Sequence, residues 1–330
     1  LPSTAWRELS DGCVKRYDGA EKEVSMTRGL VLGLLIATGA LSMAGAAQAP
    51  QAGLSAAAVA ATKIEKVKDN LYIITGSGTA NRDAFSGGNT AVFITAAGVV
   101  IVDTKLAGWG QIILDRVRSV TDKPITTIIN THTHGDHTGS NAFFGTSVET
   151  IVQENTAANM ARMDAFKGDN AKFLPKRTYK DKMAIGAGKD QIDLYYFGRG
   201  HTDGDTFVVF PALRTMHMGD LFPWKDAPFL DRANGGSGVD MPKTLDKALK
   251  GIKNVDTVIG GHQPVQQWKD LQEYQRFNAD LLVAVEAAMK AGKSVDDAAA
   301  SINLTTKYAG YESARTKAAI QAIYDELGKR

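Results

Sequence analysis

The 330-residue chain reads as an α/β protein: two halves that each run from strands into helices, with a helical segment added at the C-terminus. Three observations carry that reading. Short apolar, β-branched runs recur between residues 71 and 259 and end at turn-forming residues. Between them stand segments whose apolar residues fall at helical spacing. After residue 262 the strand pattern stops and a long amphipathic helical pattern takes over.

Composition narrows the class. With 38 Lys+Arg against 36 Asp+Glu the net charge is +2, which leaves no broad positive field for nucleic acid. An apolar content of 44% is ordinary for one large or two small globular domains. The single cysteine, Cys13, rules out a disulfide within the chain and puts no thiolate near any candidate site.

Residues 1–25 are charged and aperiodic, and they precede what looks like a protein start: Met26-Thr27-Arg28, the apolar run Gly29 to Ala37, and the small-x-small site Ala47-Gln48-Ala49 before Pro50. That is the pattern of a secretory signal peptide over 26–49, with 1–25 an upstream extension. The alternative is an uncleaved anchor, but Gly33, Gly39 and Ser42 interrupt a stretch shorter than the ~20 apolar residues a spanning helix needs. Cleavage near Ala49 implies a periplasmic or secreted protein with no cysteine and no stable membrane anchor. Residues 50–66, rich in alanine, read as a linker or loose first helix. The globular domain is expected over 67–265, with helices over 266–330 packing on it.

Within that domain Leu71–Thr75, Thr90–Thr95 and Val99–Asp103 read as strands, the last two joined by Ala96-Ala97-Gly98. Gly76 to Asn89, glycine-rich with Phe85 as its one aromatic, suits a mobile lid or a plain hairpin loop. Leu106–Val120 has helical spacing and stops before Pro124. Ile125–Ile129 is a buried strand; Asn141–Gly145 and Asn155–Phe166 suggest helices around a strand at Val148–Val152. Lys167–Asp181, polar and basic, reads as a surface excursion. Strands follow at Ile192–Phe197, Thr206–Phe210, Thr215–Met218 and Val255–Ile259, with a helix at Asp240–Ile252 that Asp240 would cap. Trp268–Ala291 is a long helix, followed by two shorter ones, the first opened by a capping-box pattern at Ser294–Asp297. These helices carry no candidate ligand and are expected as a packing layer; nothing in the sequence specifies an oligomeric state.

The chemistry gathers at strand ends. Thr131-His132-Thr133-His134-Gly135-Asp136-His137 places three of the chain's six histidines and a carboxylate on the turn leaving Ile125–Ile129. Imidazole is the commonest metal ligand, and such a cluster has the ligand types a catalytic zinc site requires. His201, Asp220 and His262 follow strands in the same manner. His217 lies inside a strand and reads as packed behind the site.

The set His132-x-His134-x-Asp136-His137, then His201, Asp220 and His262, resembles the metallo-β-lactamase superfamily over about residues 67–262. The resemblance implies an αβ/βα four-layer sandwich and two zinc ions, with iron or manganese left open by the absence of thiolate. It implies that His132, His134 and His201 bind one metal, that Asp136, His137 and His262 bind the second, and that Asp220 bridges them. Asp136 would also orient the nucleophile, and Asp103 would support the ligand loop. One departure stands out: secreted β-lactamases of the superfamily usually have Cys or Ser where Asp220 stands, whereas glyoxalase II and the lactonases have Asp.

The expectation is a secreted dinuclear zinc hydrolase that cleaves an acyl C–N, C–O or C–S bond of a small molecule by metal-bound hydroxide, with β-lactams among the candidate substrates. The alternatives are a thioesterase or lactonase of the glyoxalase II type, a mononuclear iron dioxygenase using a subset of the ligands, and a non-catalytic zinc protein. For substrate contact the sequence offers Phe85, Trp109, Phe222, Trp224 and Phe229 as apolar walls, and Arg199, Lys225 and Arg232 as carboxylate anchors.

Overall fold

A strand buried on both faces needs an unbroken apolar run, and the chain's clearest runs form the centres of two sheets. The computed structural model describes residues 54–76 and 82–328, so the expected export segment lies outside the described residues. Among them, no helix is long and apolar enough to cross a membrane.

The first sheet has seven strands in sequence order: β1 (Ile64–Lys68), β2 (Leu71–Ile74), β3 (Thr90–Ile94), β4 (Val99–Val102), β5 (Ile125–Ile129), β6 (Glu149–Gln153) and β7 (Arg177–Tyr179). The second has six: β8 (Lys182–Ile185), β9 (Ile192–Tyr195), β10 (Phe207–Phe210), β11 (Thr215–His217), β12 (Thr257–Ile259) and β13 (Gln266–Gln267), in the order β13-β12-β11-β10-β9-β8. The helices are α1 (Ala56–Ala61), α2 (Gly110–Arg118), α3 (Gly135–Thr138), α4 (Glu154–Met160), α5 (Met241–Gly251), α6 (Trp268–Lys290), α7 (Val295–Ser301) and α8 (Thr316–Leu327).

Side-chain alternation builds the layers. Phe93, Val100 and Val102 from the first sheet meet Leu194, Val208 and Phe210 from the second in one core between the sheets. The opposite faces turn outward: Val92, Ile101 and Ile128 pack under Ile113 and Val117 of α2, while Phe207, Val209 and Met216 pack under α5, α6 and α8. The result is the αβ/βα sandwich with added C-terminal helices that the resemblance implies.

Several expectations are corrected. The first sheet begins at Ile64, inside the segment read as a linker, because β1 pairs antiparallel with β2. The polar stretch 167–181 contains β7, which pairs parallel with β6, and β8 follows it. IEKVK and RTY lack an apolar run and KMAI has one of only three residues; all three strands lie at sheet edges, where polar side chains protect the open hydrogen-bonding face. The helix read from Leu106 starts only at Gly110. Asp240 stands at the N-terminus of α5 but makes no side-chain cap; its carboxylate binds Arg199 instead.

Parallel pairing brings the site together. β4, β5 and β6 run parallel to one another, as do β11 and β12, and β9 shares the direction of β11 because both are antiparallel to β10. Their C-terminal ends, where Asp103, the His132 turn, His201, Asp220 and His262 follow, therefore converge on one edge of the sandwich.

Candidate metal centre

The turn after β5 leads into α3, a single helical turn in which His137 N–H donates to the His134 carbonyl (3.0 Å). This turn projects His132, His134, Asp136 and His137 toward the ends of β11 and β12. The ligand atoms form two groups, His132, His134, His201 and Asp220 in one and Asp136, His137 and His262 in the other, and within each group they lie within 4.8 Å of one another. All seven sequence candidates thus meet at one place. Gly219 permits this: its φ of +49° suits a residue without Cβ, and a Cβ there would strike the Thr131 side chain.

Each histidine of the motif is held from behind. His134 Nε2–H donates to Asp231 Oδ2 (2.6 Å) and His201 Nδ1–H to the Phe229 carbonyl (2.7 Å), which leaves His134 Nδ1 and His201 Nε2 facing each other at 2.9 Å. With those protons on the back-facing nitrogens, the two facing nitrogens present lone pairs to each other, an arrangement that suits a cation between them. His132 Nε2 is buried without a hydrogen-bond partner. Asp220 Oδ1 is likewise unpartnered as a hydrogen-bond acceptor, although it lies 3.3 Å from Nε2 of both His137 and His262. Buried orphan groups of this kind are costly unless something binds them, so the donor set fits a metal ion.

Asp103 supports both groups. At φ +66° it turns its carboxylate so that Oδ1 accepts the Thr131 N–H (2.8 Å), while Oδ2 accepts from Thr131 Oγ1 (2.8 Å) and His137 Nδ1 (2.7 Å). Thr131 Oγ1 in turn lies 3.0 Å from His132 Nδ1, so one carboxylate fixes the tautomers of His132 and His137. His217 is packed rather than a ligand: Nε2–H donates to the Asn89 carbonyl (3.2 Å), and Nδ1 accepts from Gly219 N–H (3.2 Å).

The two groups differ electrostatically. Burial, reinforced by the other histidines, holds His132 well below the usual histidine value; burial likewise pulls His201 down to about 4. Burial acts on His137 and His262 as well. There Asp136, Asp220 and Asp103 outweigh it at His137, and Asp220 with Asp136 outweighs it at His262, so both are raised. The same pairings overcome burial at the carboxylates, pulling Asp136 to about 2 and Asp220 well below its usual value.

Two residues at the site escaped the sequence reading. Asp231, which orients His134, caps a 3-10 turn (Arg232–Asn234) far from the motif, and its hydrogen bond to His134 depresses its carboxyl. Lys105 is fully buried, donates from Nζ to the Gly88 carbonyl (2.9 Å), and is pulled down to about 7 by burial against the fields of Asp136 and Asp103. Through Gly88, whose N–H donates to the Asp136 carbonyl (2.9 Å), it anchors the loop 86–89 against the second group.

The substrate candidates divide. Phe85 and Trp224 place their rings 5.6 and 5.9 Å from the His262 ring, and Phe229, 45% exposed, flanks His134 and His201 at 5.9 and 5.6 Å. Trp109 is instead buried under α2, and Phe222 stacks on Tyr274. The expected anion anchors are all engaged by carboxylates: Arg199 by Asp240 (2.9 Å from Nε), Lys225 by Asp270 (2.8 Å) and Arg232 by Glu326 (3.3 Å). Ion pairing, with partners far along the chain, explains these three cations without substrate.

Comparison with known proteins agrees with this geometry. A metallo-β-lactamase type 2 from Elizabethkingia meningoseptica is 28% identical over 236 residues, covering 69% of this chain and 88% of that protein. Among solved structures, a metallo-β-lactamase from Pontibacter korlensis superposes with a TM-score of 0.56 at 19% identity, covering 66% of this chain and 98% of its own. A sec-alkyl sulfatase superposes with a TM-score of 0.65 at 14% identity, covering 81% of this chain but 50% of its own. The family model of the metallo-beta-lactamase superfamily matches residues 84–262, from the Phe85 loop to the last ligand candidate, and the chain belongs to that superfamily of metal-dependent hydrolases.

Proposed function

We propose that the protein is a dinuclear zinc hydrolase that cleaves an acyl C–O or C–S bond of a small molecule: an ester, thioester or lactone. The observation that carries the reading is Asp220, a buried carboxylate with Oδ1 3.3 Å from His137 and His262 and Oδ2 3.8 Å from His201, so one side chain touches both ligand groups. Nitrogen and oxygen donors without thiolate suit zinc, with iron or manganese as the other ions this set accepts. When bound, such a pair of ions supplies Lewis acidity and an acidified water.

The chain's own residues do the rest. Asp231, Asp103 and the Phe229 carbonyl hold four imidazoles in one tautomer each, Asp103 reaching His132 through Thr131, so that these four are oriented before a substrate arrives. Asp136, with Oδ2 3.3 Å from His262, is 22% exposed and is the carboxylate of the cluster placed to orient a nucleophile at the mouth. Phe85, Trp224 and Phe229 rim that mouth and exclude bulk water, which strengthens every charge interaction inside.

A second reading, β-lactam hydrolysis, is favoured by the relative named metallo-β-lactamase type 2 and the share of its length that is matched. Zinc analysis of the purified protein, with turnover of nitrophenyl esters, thioesters, lactones and a chromogenic cephalosporin, tests both. Two zinc ions and faster ester, thioester or lactone turnover are expected; cephalosporin turnover alone would install the second reading, and no hydrolysis with zinc bound would remove both. Export rests on the pattern over 26–49, and envelope protein beginning near Pro50 is the expected result.

A further inference from the structure

The last helix, α8, lies beyond the residues that the family model matches, and its inward face carries a charge. Ala319, Ile320 and Ile323 are buried on that face, and Glu326, about one turn further along it, is 4% exposed. Glutamate is almost never buried this far unless its carboxylate is paired. Here both oxygens have partners. Oε1 accepts from Ser237 Oγ (2.6 Å) and lies 3.5 Å from Arg199 Nη2, while Oε2 lies 3.3 Å from Arg232 Nη1 and accepts the Val239 N–H (3.4 Å).

These partners come from the two loops that hold the first ligand group. Arg199 stands two residues before His201, and Arg232 directly follows Asp231, the carboxylate behind His134. The second of these loops also carries Phe229, whose carbonyl fixes His201. The loops are tied to each other as well: Asp231 N–H donates to the His201 carbonyl (2.9 Å) and Ser237 N–H to the Gly200 carbonyl (2.8 Å). His137, in the second group, is backed from a different part of the fold, by Asp103 at the end of β4.

Ionic pairing in the interior is a poor source of net stability, because desolvation offsets the attraction. What it fixes here is geometry. We infer that Glu326 is a positioning residue for the first zinc: it clamps the loops of His201 and Asp231 together and so aims His134 and His201 at one ion. The inference rests on the reading of these residues as zinc ligands, and it gives the C-terminal segment a part in the site beyond packing.

The test compares Glu326→Gln, which keeps the shape and removes the charge, with Ile320→Val, which loosens the packing of the same helix and leaves the carboxylate in place. Chelator competition should show the first zinc weakened roughly tenfold in Glu326→Gln, the low end of the range for outer hydrogen-bond partners, with the second zinc unchanged. Ile320→Val should lower the melting temperature and leave both affinities alone. In the metal-free protein, NMR of isotope-labelled histidine should show faster hydrogen exchange at His134 Nε2 and His201 Nδ1 in Glu326→Gln, and the wild-type rate at His137 Nδ1. Added to Asp231→Asn, Glu326→Gln should cost less first-zinc affinity than it does alone, since both act through His134. Should Glu326→Gln fail to fold, Ser237→Ala, which removes one bond to the carboxylate, should give the same pattern at smaller amplitude. An equal loss at both zinc ions, unchanged exchange at His134 and His201, or the same selective loss in Ile320→Val would overturn the assignment. Wild-type protein that binds no zinc, with the selective change in exchange still seen in Glu326→Gln, would instead remove the zinc reading and keep the clamp.

Discussion

The two ligand groups share Asp220 but solve opposite electrostatic problems. In the first, His132 and His201 are buried beside other imidazoles and kept neutral, with lone pairs turned inward. In the second, His137 and His262 sit among Asp136, Asp220 and Asp103 and hold protons more tightly than free histidine does. The first group is therefore ready for a cation, whereas the second must exchange protons for one. One fold edge presents two sites of unlike readiness, and the difference comes from where the carboxylates lie.

The shared residue gives the largest effect. Asp220→Asn keeps volume but removes the charge that both groups use, so turnover should fall on the order of 100-fold or more, beyond the 10–100-fold typical of outer hydrogen-bond partners. Zinc content should drop by at least one ion while the circular dichroism spectrum persists. A variant with full rate and unchanged zinc would show that the two groups do not meet at Asp220.

The supports separate the groups next. Asp231 backs His134 alone, whereas Asp103 backs His137 directly and His132 through Thr131. Asp231→Asn should weaken only the first zinc, and Asp103→Asn both, each roughly 10- to 100-fold by chelator competition. Equal effects on one zinc only would contradict the relay through Thr131.

Acid should sharpen the contrast. As pH falls toward about 4, where His201 itself begins to titrate, His137 and His262 are protonated first, since both are raised above the ordinary histidine value while His132 and His201 are lowered below it. Zinc analysis after dialysis over that fall in pH should show the second ion leaving before the first. Simultaneous loss would mean that the histidine asymmetry does not govern binding.

Much of this site was legible because its chemistry is local. The residues from His132 to His137 lie in one turn after the apolar run of β5, and His201, Asp220 and His262 each follow a short strand, β9 with its alternating burial, β11 and β12. What escaped depends on pairing at a distance. The edge strands β1, β7 and β8 carry polar faces and look like loops until their neighbours are known. Arg199 and Lys225 look like anchors until Asp240 and Asp270 are seen beside them. Asp231 reaches His134 across 97 positions, and nothing near Lys105 in the sequence reveals that the 86–89 loop covers it.

Lys105 is the finest test of the comparison, because its side-chain hydrogen bond reaches only the loop beside the second group. Its ammonium is fully buried, and burial lowers its pKa from 10.5 to about 7 even though Asp136 and Asp103 favour the charge. A lysine whose folded value lies below its unfolded value contributes stability above the unfolded value and loses it as pH falls through the folded one. The cost of burying the charge therefore grows between about pH 10 and about pH 7. Lys105→Met keeps most of the volume and removes both that cost and the bond to the Gly88 carbonyl. In the metal-free protein the melting temperature of the variant, relative to wild type, should rise by a few degrees as pH is lowered across that window. Zinc affinity at the first group should stay unchanged, while the loop that covers Asp136 and His137 loses its anchor and the second zinc binds more weakly. A pH-independent difference between the two proteins would show that Lys105 carries no charge penalty, and an equal loss at both zinc ions would show that the loop serves the whole centre rather than its second half.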